Sequence, residues 1–404
     1  MSFGHQSRRR ADGTVVVIGA GQSGLAAARV LLERNVATVV LEERDRAAGS
    51  WPYYYDSLQA FSPAGFNSMP GMPFPGDQDR YPARDEVANY LESYAAGLGV
   101  GIRTNTPVVT VSREDSAFVV VTAGGSRLRA AGVVAASGSF SNPYRPALPG
   151  EKSFTAELLH VADYRNPARY AGRRVIVVGA GDSAAQVANE LAPLAKVTLA
   201  ARRPLRFIPQ RIGGKDVHYW LRETGFDSLP AEWLNKITGG SVITDSVGFQ
   251  QTLADGLLDV RPMFTGLDGD HVVWGDGERE RVDAVILATG YRPSLGYLRE
   301  LGALDPSGAP LHAGGISTTH LGLVYLGLEY QRSFASNTLR GVSADASAVI
   351  APLVAWIRDA PRTVGLTTPQ VHAPTFVDPR QAAPGLDGTK IPAATGLLRG
   401  ELLS

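Results

Sequence analysis

Two glycine-rich turns, each directly after a β-branched run, are the residues of this sequence best suited to chemistry, and that chemistry is the cradling of a pyrophosphate. The first reads Val15-Val16-Val17-Ile18-Gly19-Ala20-Gly21-Gln22-Ser23-Gly24, the second Val175-Ile176-Val177-Val178-Gly179-Ala180-Gly181-Asp182-Ser183-Ala184. In each, the first glycine lets the strand turn sharply and the second removes the Cβ that would strike a phosphate. The third position lets the following helix pack close to the strand. The helix N-terminus then offers unpaired N–H groups and positive partial charge. One such turn is weak evidence of a site, because strand-to-helix geometry alone selects glycine. Two in the same context imply two dinucleotide sites.

The residues beyond each turn predict different occupants. After the first, a helix expected over Leu25 to Arg34 leads to the strand Thr38-Val39-Val40-Leu41, which ends on Glu42. A carboxylate about twenty residues past the turn accepts both ribose hydroxyls and repels a 2′-phosphate. The first site therefore suits an unmodified ribose, as in FAD or NAD. After the second turn, Lys196-Val197-Thr198-Leu199-Ala200 runs into Ala201-Arg202-Arg203. Two forked, permanently charged guanidinium groups match a 2′-phosphate, which predicts NADPH there. The competing reading of the pair is two solvated side chains on a loop.

Composition narrows the classes. A chain of 404 residues with 44% hydrophobic content has length and apolar material for two domains. Its 39 basic and 39 acidic residues balance, so no charge excess points to nucleic acid or a membrane surface. The absence of cysteine excludes disulfides, thiolate metal sites and a redox-active CxxC pair. The seven histidines show no HxH or HExxH spacing, so no metal site is expected. No apolar run approaches the roughly 20 residues of a membrane span. Met1 to Thr14 is basic without the apolar core of a signal peptide, and a cytoplasmic location is expected.

The elements needed to position these turns can be placed along the chain. A Pro/Gly/aromatic stretch from Ala48 to Tyr81 has little periodicity and is expected to wall a ligand. A helix is expected from Arg84 to Leu98, then a hairpin-rich element from Val108–Val111, Phe118–Thr122 and Gly132–Ala136. Pro143, Pro146 and Pro149 space out a connector. The second nucleotide unit then carries an aromatic insertion from Phe207 to Ile243 and a hairpin at His271–Val282. Trp220 and Trp233 in that insertion are expected to be core more readily than substrate entrance. The run Asp283 to Tyr291, with its Ala288-Thr289-Gly290 elbow, parallels Val133 to Ser137-Gly138 and is expected to return the chain to the first domain. The strand at Leu323–Gly327 and a helix from about Ser343 to Asp359 complete the first sheet, while the Pro/Gly/Ala tail beyond Thr367 receives no element. The expected fold is α/β with two Rossmann-like dinucleotide-binding domains. The FAD-binding domain comprises 1–156 and 283–404, and the NADPH-binding domain, 157–282, is inserted within it.

Taken with Glu42, Gly49-Ser50-Trp51, Tyr55-Asp56-Ser57-Leu58, Ser62-Pro63, Tyr81 to Val87 and Ala288-Thr289-Gly290-Tyr291, the two turns resemble class B flavin-dependent monooxygenases over about residues 14 to 350. The resemblance leans to the bacterial, plant YUCCA-like branch. Phe154-Thr155-Ala156-Glu157-Leu158-Leu159-His160-Val161-Ala162-Asp163-Tyr164 is similar to that group's FxGxxxHxxxY fingerprint, with Ala156 in place of glycine.

The resemblance implies that NADPH reduces FAD, that NADP+ stays bound, and that the reduced flavin holds oxygen as a C4a-(hydro)peroxide until it oxygenates a small molecule at nitrogen, sulfur or a carbonyl. Flavin contacts map onto Gly19, Gly21, Gln22, Ser23, Gly24, Glu42, Trp51, Leu58, Val108, Ser137 and Gly138. Those of NADPH map onto Gly179, Gly181, Asp182, Ser183, Ala184, Arg202 and Arg203, with Thr289 and Gly290 at the second elbow. No side chain is assigned as catalytic, since hydride transfer and oxygen activation belong to the flavin. The partners are the small-molecule substrate and oxygen, with no nucleic acid and no membrane, and a homodimer is the candidate assembly.

Three departures qualify the match. Phe61 and Ser62 stand where many members place an asparagine beside the flavin. Gly327 is followed by Leu328, not by a ribityl-binding aspartate, leaving Gln331, Asn337 or backbone near Ser343 as substitutes. Ala184 replaces the third glycine. The alternatives in other classes are an NADPH oxidase or flavin reductase without productive oxygen transfer, and a non-catalytic flavoprotein tied to ion transport or metal resistance.

Overall fold

The computed structural model describes residues 13–230, 233 and 243–359. The tail beyond Thr367 lies outside them. Four strands, Val15–Ile18, Gly132–Ala135, Arg174–Val178 and Ala284–Leu287, are apolar runs without alternation, and nearly every residue in them is buried. Strands covered on both faces have this pattern, and they form the centres of two parallel sheets.

The first sheet has seven strands in the order His312–Ala313, Ile316–Ser317, Leu323–Tyr325, Gly132–Ala135, Val15–Ile18, Thr38–Leu41 and Gly101–Arg103. From Leu323–Tyr325 onward all neighbours are parallel, and the other end is finished by antiparallel pairs. The helices Gln22–Glu33 and Val342–Asp359 pack together on this sheet. The first begins at Gln22, not at the expected Leu25, because Gly21 is its N-cap.

The second sheet is wholly parallel, in the order Leu258–Pro262, Lys196–Ala201, Arg174–Val178, Ala284–Leu287 and Glu157–His160. Its helix, Asp182–Leu191, follows the second turn. Two antiparallel meanders flank the sheets: Val108–Glu114, Ala117–Thr122 and Arg127–Ala130, then Gly266–Asp268, His271–Val273 and Arg279–Arg281.

Three expectations are corrected. Gly132–Ala135 is not part of the hairpin-rich element but the strand beside Val15–Ile18. The meander's third strand is Arg127–Ala130, whose two exposed arginines hid it among loop residues. Ala284–Leu287, placed in the first domain by a boundary at 282, lies in the second sheet between Arg174–Val178 and Glu157–His160. An apolar run that short carries no mark of which parallel sheet receives it. Trp220 and Trp233 are 37% and 60% exposed, so neither belongs to the core.

The first turn is a point of close backbone contact. Gly19 has φ +105°, and a Cβ there would stand 2.4 Å from the Ala136 carbonyl oxygen. A Cβ on Gly24 would stand 1.8 Å from the Gly19 oxygen, so the helix rests directly on the turn. Gly24→Ala is therefore expected to cost about 3 kcal/mol of stability through overpacking. Denaturant unfolding checks this, and an unchanged midpoint would refute the contact.

Candidate functional site

Beneath the first turn lies a cavity of about 370 Å³, and most of the first-site residues drawn from the sequence line it: Gly19, Gly21, Gln22, Ser23, Glu42, Val108, Ser137 and Gly138. All but Val108 arrive from the C-terminal end of a parallel strand or the segment just after it, where doubly wound sheets bind ligands, and Val108 opens the first strand of an antiparallel meander. Glu42 is buried. Its Oε2 accepts from the Ala20 N–H (2.6 Å) and its Oε1 from the Arg44 N–H (2.9 Å). Burial pushes this carboxyl above its ordinary range, and those two N–H donors oppose the rise. Both oxygens keep lone pairs for ribose hydroxyls.

Gly24 does not line the cavity but brings the helix onto the turn. Trp51 is also outside the lining. Its Nε1 donates to Gln22 Oε1 (3.1 Å), and Gln22 Nε2 reaches the Asn337 carbonyl (3.4 Å). Leu58 packs against the apolar cluster of the second sheet. Sequence reasoning missed Gly49, Tyr54, Phe140 and Tyr297 as lining residues, whereas Asn337, offered for the ribityl chain, does line the cavity. The irregular Ala48–Tyr81 stretch signalled Gly49 and Tyr54. Tyr297 had no signal: its hydroxyl lies 2.9 Å from Ser137 Oγ, which itself donates to the Ser294 carbonyl (2.7 Å).

The second turn repeats the first with one substitution of charge. The Gly19 N–H donates to the Leu41 carbonyl (2.7 Å), and the Gly179 N–H donates to that of Ala200 (3.1 Å). That correspondence sets Ala201 opposite Glu42, so the second turn has no carboxylate at the ribose position. Arg202 and Arg203 follow immediately, are exposed, and make no hydrogen bond or ion pair among the described residues. A Cβ on Gly181 would meet nothing within 4 Å, which leaves the turn open to a phosphate. Ala184, in place of the third glycine, is buried without displacing the helix. Ser183 lies in that helix's first turn. Asp182 faces away from the opening: its Oδ1 accepts from the Thr244 N–H (2.9 Å) and hydroxyl (3.1 Å). Desolvation pushes it up to about 6, against those two donors.

Between the sheets, His160 is fully buried. Its Nδ1 accepts from the Ala162 N–H (3.1 Å), so Nε2 carries the hydrogen donated to the Gly290 carbonyl (3.0 Å). Burial lowers its pKa, which keeps the ring neutral. Thr289 Oγ1 donates to the Tyr144 carbonyl (2.5 Å). Thr289 and Gly290 thus join the second elbow to the proline-spaced connector, away from the first cavity.

The departures have definite placements. Phe61 stacks on His218 with ring centroids 5.8 Å apart, and Ser62 Oγ donates to Asn67 Oδ1 (2.7 Å). Gln331 is occupied by the Tyr325 carbonyl and the Leu328 N–H, whereas Asn337 lines the cavity. Among the described residues no group of three or more His, Asp or Glu side chains could hold a metal ion, and no helix is long and apolar enough to cross a membrane.

Comparison with known proteins agrees with this geometry. The family described as pyridine nucleotide-disulphide oxidoreductase matches residues 16–235. An uncharacterized CzcO-like oxidoreductase of Geobacillus kaustophilus is 33% identical over 341 residues, covering 83% of this chain and 97% of that protein. The indole-3-pyruvate monooxygenase YUCCA1 of Oryza sativa subsp. japonica is 31% identical, over 72% of this chain and 79% of its own. Among solved structures, the flavin-containing monooxygenase from Stenotrophomonas maltophilia superposes with a TM-score of 0.75 at 30% identity, covering 85% and 98% of the two chains.

Two outcomes are expected. Replacing Arg202 and Arg203 together by alanine should weaken NADPH on the order of 100-fold and NADH far less, because charge-assisted contacts to a 2′-phosphate are lost. Equal losses in a titration would refute the phosphate assignment. Asp182 has a folded-state pKa near 6 against 3.8 in the unfolded chain, so its contribution to stability is best at acid pH and declines as pH rises through about 6. Asp182→Asn keeps the Oδ1 acceptor and loses the charge. It should gain about 1 to 2 kcal/mol at pH 7 and nothing at pH 4, read by denaturant melts at both values.

Proposed function

The chain belongs to the pyridine nucleotide-disulphide oxidoreductase family, among the class B flavin monooxygenases that use FAD and NADPH, and from that premise we propose that it inserts one oxygen atom into a small molecule at a soft nitrogen or sulfur, or beside a carbonyl. The observation that carries this reading is the pairing of two like turns with unlike ribose positions, Glu42 on one and Ala201-Arg202-Arg203 on the other. One site favours a bare ribose and the other a 2′-phosphate, so a reductant and an acceptor bind side by side. The disulphide in the family's description does not extend to this chain, which has no cysteine to exchange.

FAD, when bound, supplies hydride acceptance and oxygen activation, and the reading includes oxygen held at its C4a position. The protein's own residues bind, orient and exclude. Gly21 and Gly181 leave each turn open, and the helix N-termini beyond them present N–H groups to phosphates. Glu42 and Val108 fit an adenosine, while Tyr54 and Phe140, in edge contact at 4.5 Å, close one side of the cavity against water. His160, neutral and bonded to Gly290, holds the elbow after Ala284–Leu287 against the end of the neighbouring strand Glu157–His160.

A second reading, an NADPH oxidase or flavin reductase, is favoured by one observation. Ser62 is spent on Asn67 and Phe61 on His218, so neither offers the amide that steadies activated oxygen in many relatives. The two readings separate when the FAD-loaded protein is reduced anaerobically with NADPH and mixed with oxygen while the flavin spectrum is recorded. A persistent C4a-peroxyflavin band is expected. Direct return to oxidised flavin with stoichiometric hydrogen peroxide would establish the oxidase reading instead.

A further inference from the structure

Away from the two turns, the insertion of the second domain meets the first domain in a buried polar cluster set among aromatic rings. Asp216 is 7% exposed and saturated with donors. Its Oδ1 accepts from the His218 N–H (2.9 Å) and from His218 Nδ1 (2.8 Å), and its Oδ2 accepts from Gln210 Nε2 (2.8 Å) and the Tyr81 hydroxyl. Because Nδ1 carries the hydrogen given to Asp216, the other ring nitrogen of His218 is a lone-pair acceptor. The ring lies between Phe61, stacked at 5.8 Å, and Phe66, tilted at 5.9 Å.

A few residues away, Arg340 forms a two-pronged ion pair with Asp227: Nε to Oδ2 at 2.8 Å and Nη2 to Oδ1 at 2.9 Å, with side chains 8% and 13% exposed. Its third nitrogen, Nη1, is buried with no partner, and so is Gln210 Oε1. Orphaned polar atoms in a packed region cost stability, and native proteins keep them chiefly where a ligand or water completes them. The guanidinium lies close enough to depress the proton affinity of His218, which burial already lowers, so the ring is neutral. Phe334 stands 5.9 Å from Arg340 and in edge contact with Phe226 at 5.2 Å. Asn337, three residues before Arg340, lines the first cavity, so one short segment serves both regions.

We propose that His218, Arg340 and Gln210, walled by Phe61 and Phe66, are the polar end of the substrate site, and that they select an uncharged planar molecule with an acceptor for Arg340 and a donor for His218 or Gln210. This rests on the monooxygenase reading and deepens it. The buried charges number one cation, Arg340, against two anions, Asp216 and Asp227, so the cluster disfavours a carboxylate even though it contains an arginine. An aromatic amide has the complementary pattern: a ring for the phenylalanines, a carbonyl for Nη1 and an N–H for the imidazole or the glutamine oxygen.

The test is calorimetric titration of the FAD-loaded protein with benzamide and with benzoate, which share a ring and differ in charge. Benzamide should bind saturably and about tenfold more tightly than benzoate, a difference of about 1.4 kcal/mol. Arg340→Met combined with Asp227→Leu, which removes the pair without stranding a charge, should weaken benzamide about tenfold through loss of the donor to its carbonyl, while Asp216 keeps benzoate the poorer ligand. Should this double variant melt early, His218→Phe keeps the stacking and removes the acceptor together with the Nδ1 bond to Asp216, which retains the His218 N–H, Gln210 and Tyr81 as donors, and it should weaken benzamide to a similar degree. Benzoate binding as tightly as benzamide, no benzamide heat up to about 10 mM, or unchanged benzamide binding in a folded His218→Phe variant would each overturn the site. None of these outcomes involves NADPH or oxygen, so failure of the monooxygenase reading shows separately, in the oxygen-mixing experiment.

Discussion

The rest of the structure depends on the near-contact of bare backbone at the first turn. Gly19 presses on the Ala136 carbonyl, Gly24 on Gly19 itself, and Gly49, at φ +58°, on Gly21, where a Cβ would come within 2.7 Å of the Gly21 Cα. From the far strand, a Cβ on Gly327 would sit 2.1 Å from Ser23 Oγ. Four segments far apart in sequence thus converge where side chains are excluded. That exclusion creates the cavity: a phosphate needs the volume the side chains would have taken, and helix N–H groups pointing into it. Any bulk added there displaces a strand, a helix or the ligand.

The second turn shares this architecture and differs chiefly in charge. With hydrogen-bond register matched through Leu41 and Ala200, Glu42 of the first turn gives way to Ala201 in the second, and two exposed arginines follow it. Close packing makes both turns alike because both must bring a helix onto a strand end. What differs between them is the side chain at the adjoining strand end, Glu42 on one and Ala201 on the other. Asp182 is an acid in a phosphate turn, but Thr244 engages its carboxylate through both its N–H and its hydroxyl. The helix N-terminus therefore stays open.

These features were legible in the sequence in proportion to how local they are. The turns, the strands preceding them, Glu42 and the Arg202-Arg203 pair follow from neighbours within a few residues, because backbone geometry and charge act at that range. The sheet that receives Ala284–Leu287 was not legible, since a buried parallel strand has the same apolar face for either sheet. Arg127–Ala130 was missed because half of its side chains face water. Tyr297 reaches the cavity from beyond the second domain, and no periodicity marks such a return. Gln331, a candidate from sequence for the ribityl chain, is committed instead to the Tyr325 carbonyl and the Leu328 N–H. A side chain's distant alternatives cannot be weighed until the loop around it is closed.

The two domains are joined by two sets of contacts of different kind, which constrains how they can move. One set lies at the connecting segments: Thr289 to Tyr144, and the bridge between Pro143 and Tyr291. These bonds join residues adjacent to both crossings, so a rotation about the crossings barely changes their lengths. The other set lies out on the insertion: Tyr81 to Asp216, Arg340 to Asp227, and the bridge between Pro230 and Ser333. These contacts stand far from the crossings, and rotation must break them together. Each ordinary hydrogen bond is worth only about 1 kcal/mol net, but the Arg340–Asp227 pair, if parted while still buried, would leave two uncompensated charges. Opening of the domains therefore has to hydrate that pair as it separates it, so water entering beside Phe61 and His218 and loss of the closed arrangement are a single event.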